Sequence, residues 1–171
     1  NPEAGQYACI NREWQDNDQV EIQLPMQLSM RTWQVNKNSV SVDYGPLTMS
    51  LKIDEDYVKK DSRATAIGDS KWQEGADASQ WPTYEIYAKT PWNYALVLGK
   101  NEPLKDFKVV HKEWPADNFP FTVASTPIEV KAIGRKIPSW VIYQYDLCSE
   151  LPEMDAPKGE KEEITLIPMG V

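Results

Sequence analysis

One histidine, His111, two cysteines, Cys9 and Cys148, and 26 acidic side chains bound the chemistry open to this chain of 171 residues. Nucleophilic catalysis needs a base beside the nucleophile, so a free-standing hydrolase would have to build on His111 with Asp106, Glu113 or Asp117 as its nearest acids in sequence. His111 follows the apolar stretch Phe107 to Val110, and the plainer reading is a strand-end histidine hydrogen-bonded to backbone. No G-x-S-x-G elbow is present. Neither C-x2-C nor H-E-x-x-H occurs, so zinc, iron and other cofactors are not expected. Oxygen ligands crowd at Asp16-Asn17-Asp18 and Asp54-Glu55-Asp56. Neither follows a calcium-loop spacing, and both read first as acidic turns. With so many carboxylates, no pair for glycoside hydrolysis can be singled out without a separation between them.

Tryptophan is the unusual residue type. There are seven, together with eight tyrosines. Trp72, Trp81, Trp92 and Trp114 are the candidate contacts, either stacking on the apolar C–H faces of a sugar or sealing a seam with a neighbouring domain. Proline flanks three of them, in Trp81-Pro82, Pro91-Trp92 and Trp114-Pro115. That setting favours anchors packed at strand ends over an open aromatic stripe.

Acidic residues outnumber the 18 basic ones and give a net charge of -8. Such a balance repels nucleic-acid phosphates and anionic lipid headgroups, so neither is expected as a partner. The longest apolar run, Tyr94-Ala95-Leu96-Val97-Leu98, is far short of the roughly 20 residues of a membrane-spanning helix. The start at Asn1, with neither Met nor a basic and apolar leader, reads as an internal or processed beginning. Cys9 and Cys148 stand almost at opposite ends. Two free, buried thiols are expected, with a disulfide closing a very long loop as the alternative.

The elements that must carry these residues show a period of two. Val20, Ile22 and Leu24 alternate with Glu21 and Gln23, and the pattern returns at Leu28 and Met30, at Val40 and Val42, and over Leu47, Met49, Leu51 and Ile53. Tyr7 to Trp14 reads as an earlier strand, joined to the next by the turn Asp16-Asn17-Asp18. Further strands are predicted at Tyr84 to Ala88, Tyr94 to Leu98, Phe107 to Val110, Phe121 to Ala124, Ile128 to Ala132, Trp140 to Tyr145 and Glu163 to Ile167. Between them, residues 54–83 read as a long irregular connection, with room for a short helix near Tyr57 or Ala76. The 13 prolines fall at turns and strand ends and argue against helical architecture. The class is all-β, an antiparallel and jelly-roll-like sandwich with few or no helices. A single region over 1–171 is the first reading, and 1–53 ending one sandwich with 84–171 forming a second is the alternative.

Particular strings carry a resemblance. Arg12-Glu13-Trp14-Gln15-Asp16-Asn17-Asp18-Gln19-Val20-Glu21-Ile22-Gln23-Leu24-Pro25-Met26 and Tyr44-Gly45-Pro46-Leu47 resemble the C-terminal β-sandwich region of bacterial β-L-arabinofuranosidase-like glycoside hydrolases, the family 127 enzymes and their relatives. Pro91-Trp92-Asn93-Tyr94, Asn118-Phe119-Pro120-Phe121-Thr122-Val123, Ile137-Pro138-Ser139-Trp140 and Glu163-Ile164-Thr165-Leu166-Ile167-Pro168-Met169-Gly170 look like the same region in relatives from gut Bacteroidetes. The resemblance implies a non-catalytic accessory sandwich that packs on an N-terminal (α/α) barrel of the same parent chain, in a periplasmic or secreted enzyme acting on arabinose-containing plant glycans. It implies no catalytic residue here, because the acid, the nucleophile and a cysteine-rich zinc site belong to the barrel in such enzymes. A carbohydrate-binding module that holds glycan through exposed Trp residues is the alternative from another class.

Overall fold

The computed structural model of the chain describes residues 3, 5–61, 77–144 and 147–171. Eleven strands are described: β1 (Leu28–Trp33), β2 (Ser39–Tyr44), β3 (Leu47–Leu51), β4 (Glu55–Lys60), β5 (Thr83–Ala88), β6 (Tyr94–Leu96), β7 (Lys108–His111), β8 (Ile128–Lys136), β9 (Ile142–Tyr143), β10 (Leu147–Cys148) and β11 (Lys161–Pro168). A 3-10 turn spans Ala78–Gln80. The all-β, antiparallel, sandwich-like character expected from the alternation is therefore what the chain adopts.

Seven strands form the main sheet, in the order β1-β2-β3-β11-β8, and the outer side of β8 is shared by β7 along its first half and β6 along its second. Antiparallel partners lie on the same face, so the register sorts the side chains. Leu51, Leu166, Val130 and Val109 line up across β3, β11, β8 and β7. Met30, Val42 and Met49 line up across β1, β2 and β3. From these rows Val42, Met49, Leu166 and Val130 are buried in the hydrophobic core together with Phe107 from the loop before β7, and Leu51 and Val109 pack against it. The opposite face is polar: Asp43 pairs with Thr48, and Lys108, Lys131 and Thr165 share one row.

The tight connection between β2 and β3 follows from two residues. Tyr44 pairs with Leu47, leaving Gly45 and Pro46 as a two-residue loop, and Gly45 has a φ of 58°. Proline holds φ near about -65°, so the second position cannot be left-handed and the loop takes the II′ arrangement that suits strand twist. A Cβ on Gly45 would also run into the Met26 sulfur. Gly45→Ala is expected to cost about 1–2 kcal/mol, the penalty of an L-residue in the left-handed region. Urea titration of the purified variant measures it, and an unchanged midpoint would show that the turn has another solution.

Several expected elements take a different form. Tyr7 to Trp14 and Val20 to Leu24 pair with nothing among the described residues and run as exposed, irregular chain. The turn between them does form, with Asp18 N donating to Gln15 O at 3.1 Å and Asn17 at a φ of 70°. Phe121 to Ala124 is a turn, closed by Thr122 and Ser125 exchanging backbone and hydroxyl bonds. Within the supposed irregular connection, Glu55–Lys60 is a strand in full antiparallel register with β5. Of the two places offered for a short helix, Tyr57 lies in that strand, and a 3-10 turn stands close to the other at Ala78–Gln80. The cysteines are free but exposed rather than buried, because each lies off the main sheet.

Candidate functional site

A concavity lies against the core face of the main sheet. Val42, Met49, Leu96 and Leu166 form its floor, Trp92 and Trp140 one wall, and the segment from Leu151 to Lys158 passes along its mouth. Its volume is about 440 Å³. Alternation explains the floor, since each strand sends its apolar row to this side. The sheet's β6 end explains the opening: β6 has only three residues, too few for a second layer to rest on.

The Trp wall is held by one amide. Asn93 Nδ2 donates to Ile137 O at 2.9 Å and to Trp140 O at 3.1 Å, and Ile137 N returns a bond to Asn93 O at 2.8 Å. These bonds bring the segment after Pro91 onto the turn after β8. Trp92 and Trp140 then meet edge to face, with ring centroids 5.1 Å apart at 69°, the geometry aromatic quadrupoles favour. Trp140 Nε1 donates to Ser149 O at 3.2 Å.

The mouth is polar. Lys37, on the β1–β2 loop, donates to Leu151 O at 2.7 Å and pairs with Glu153 at 2.7 Å, while Asn38 reaches the Met154 sulfur. At the other end Gly159 N donates to Lys136 O at 2.8 Å and Arg135 Nε to Gly159 O at 2.6 Å. The Leu151 to Lys158 strap is thus tied at both ends by hydrogen bonds. Glu153 is the one carboxylate in the lining, so two opposed acids for glycoside hydrolysis are not found there.

Of the candidate tryptophans, only Trp92 belongs to this cavity, and its partner Trp140 was not singled out by residue type. Trp81 is exposed at the entry to β5. Trp114 is exposed on the turn after β7, its Nε1 donating to Asn118 Oδ1 at 2.7 Å. Trp72 lies outside the described residues. Trp81, Trp92 and Trp114 sit on separate elements, and the tryptophan ring that Trp92 meets is Trp140.

His111 Nε2 lies 3.3 Å from the Tyr44 hydroxyl, so its partner is a core side chain rather than backbone. Among the described residues it makes no hydrogen bond or ion pair with Asp106, Glu113 or Asp117. No three His, Cys, Asp or Glu side chains gather into a metal-binding group among the described residues. Asp18 accepts from Gln15 N at 2.9 Å and pairs with Arg12 at 3.0 Å, which is turn chemistry. Asp54 and Glu163 line a second, shallower depression of about 380 Å³ beside Lys52. Both are exposed to solvent.

Two carboxylates on the polar face are tuned by their neighbours. Asp43 is held below the usual aspartate range by hydrogen bonds from Arg31 and Thr48, which outweigh its desolvation. The Arg31 pairing is two-pronged, at 2.7 and 3.0 Å. Burial pushes Glu129 up, but hydrogen bonds and charge from Lys112 and Lys52 prevail and hold it below the usual glutamate range.

Compared with known proteins, the chain matches no family model, no curated protein and no solved structure at a significant level.

Proposed function

We propose that the chain is a non-catalytic accessory β-domain of a larger glycoside hydrolase acting on arabinose-containing plant glycans, exported to the periplasm or beyond, and seated against a helical catalytic barrel of the same parent protein. The observation that carries the docking part is a set of exposed apolar side chains on an irregular segment and on a two-stranded ribbon. Ile22 is 76% exposed and Leu24 72%, although their alternation suits a half-buried strand. Tyr57, Ile86 and Tyr84 lie on one face of the β4–β5 ribbon, also exposed, and a two-stranded ribbon alone is marginal in water. Exposed apolar patches of this kind mark contact surfaces. The string resemblance supplies the glycan, the barrel and the non-catalytic role.

The test is a released-sugar assay on arabinofuranosides with the purified chain. No turnover is expected. Turnover that disappears in Asp54→Asn or Glu163→Gln would overturn the non-catalytic reading. A second reading, a carbohydrate-binding module, is favoured by the exposure of Trp81 and Trp114. Affinity electrophoresis in arabinan separates the two, because retardation lost in Trp81→Ala or Trp114→Ala belongs to the binding module alone.

A further inference from the structure

The cavity beneath the Leu151 to Lys158 strap is built for an occupant. The concavity is open to solvent, with a mainly apolar lining and a volume of about 440 Å³. It falls within the roughly 300–1,000 Å³ of small-molecule sites. Left empty, its walls forfeit dispersion contacts that a filled core would make.

The mouth gives the occupant's chemistry. Glu153 is neutralised by Lys37 at 2.7 Å. Lys158 is not: its ammonium donates to Met154 O at 2.7 Å and Ala156 O at 3.0 Å, and among the described residues it makes no ion pair. Three donors and two carbonyl acceptors leave one N–H of Lys158, a residue of the cavity lining, without a protein acceptor among the described residues. Lys158 is itself half-buried, so an anion reaching it would make a charge-assisted bond partly shielded from water.

We propose that this cavity binds a small amphipathic monocarboxylate, its aryl or medium-chain acyl body lying on Leu96, Leu166 and the Trp92–Trp140 pair and its carboxylate accepting from Lys158. The inference concerns the cavity and does not depend on the accessory role. Binding is non-covalent. The aromatic wall accepts a flat ring edge or an alkyl chain equally, so the shared feature is an apolar body with one anionic end.

Calorimetry and tryptophan fluorescence on the full chain test this with decanoate and 3-phenylpropionate, each against its neutral alcohol, all below the concentration at which they aggregate. At least one acid is expected to bind saturably at one per chain and to shift tryptophan emission, with its alcohol weaker. Which acid binds tells an acyl from an aryl body. Lys158→Gln is expected to weaken the acid about tenfold, the worth of one charge-assisted bond, and to leave the alcohol unchanged. Val40→Phe fills the cavity from β2 and is expected to abolish binding of both. Leu96→Trp, on the core face of β6, does the same should Val40→Phe disturb the fold. No saturable binding by either acid, or acid and alcohol binding equally with Lys158→Gln silent, overturns the proposal.

Discussion

Leu166→Ala is expected to cost about 3 kcal/mol of folding stability, within the ~2–5 kcal/mol range for buried leucine truncations. Leu166 is 5% exposed and sits at the centre of β11, opposite Leu51 on one side and Val130 on the other. It joins the two halves of the main sheet on the core face. Truncation removes its transfer free energy and also enlarges a cavity that already exists, since Leu166 forms part of the cavity floor. The hydrogen-bonded strands on both sides hold the backbone in place, so the void cannot close. Urea unfolding of wild type and variant gives the change as a shift in midpoint at constant slope. Met169→Ala, two residues beyond the buried stretch and exposed, is the matched control and is expected to stay within about 0.5 kcal/mol. Equal losses at both positions would mean that the β11 face is not the core.

The strands of the main sheet were legible because burying one face of a strand imposes a period of two. That holds at Val40 and Val42, over Leu47 to Leu51, and over Glu163 to Ile167, where the alternating residues are the ones that meet in the core. The same rule misread Val20, Ile22 and Leu24. Alternation states which side chains share a face, and says nothing of whether a second strand is at hand to pair with it. The strand β4 was missed for the converse reason: Glu55, Asp56, Lys59 and Lys60 surround Tyr57 and Val58, both faces meet solvent, and no apolar period marks it. Its stability comes from pairing with β5 and from contacts such as Lys60 with Glu85 at 3.0 Å, which are visible only once the two strands are placed side by side. The cavity was half legible. Trp92 stood out by type, but Trp140 joins it through the Asn93 bonds across a separation of 44 to 47 residues, and sequence spacing does not reveal which two of seven indoles meet. Phe121 to Ala124 failed on local chemistry: the hydroxyls of Thr122 and Ser125 offer the backbone partners that a sheet would otherwise supply.

Glu129 marks where the polar face of the sheet becomes sensitive to pH. Its side chain is 7% exposed, and three ammonium groups converge on it: Lys112 at 2.5 Å, Lys52 at 3.2 Å and Lys131 at 3.6 Å. Lys131 also donates to Thr165 at 2.7 Å, tying the cluster to β11. Replacing the carboxylate by an amide, Glu129→Gln, removes the counter-charge and leaves three lysines close together. The cost is expected to be about 1–2 kcal/mol near neutral pH. That is less than the ~3–5 kcal/mol of breaking a fully buried pair, because the lysines remain about one-third exposed and regain water. The direction with pH follows from linkage. A carboxylate held below its unfolded value binds fewer protons when folded, so its contribution is complete above the ordinary glutamate range and disappears as pH falls through the depressed folded value. Wild type and Glu129→Gln should therefore differ most near about pH 7 and converge toward about pH 3. Asp43, lowered by Arg31 and Thr48, acts in the same sense in both proteins, so the variant keeps part of its acid sensitivity. Urea midpoints measured across that range decide the matter, and a gap between the two proteins that stays constant down to the acid end would assign the loss to packing rather than to charge.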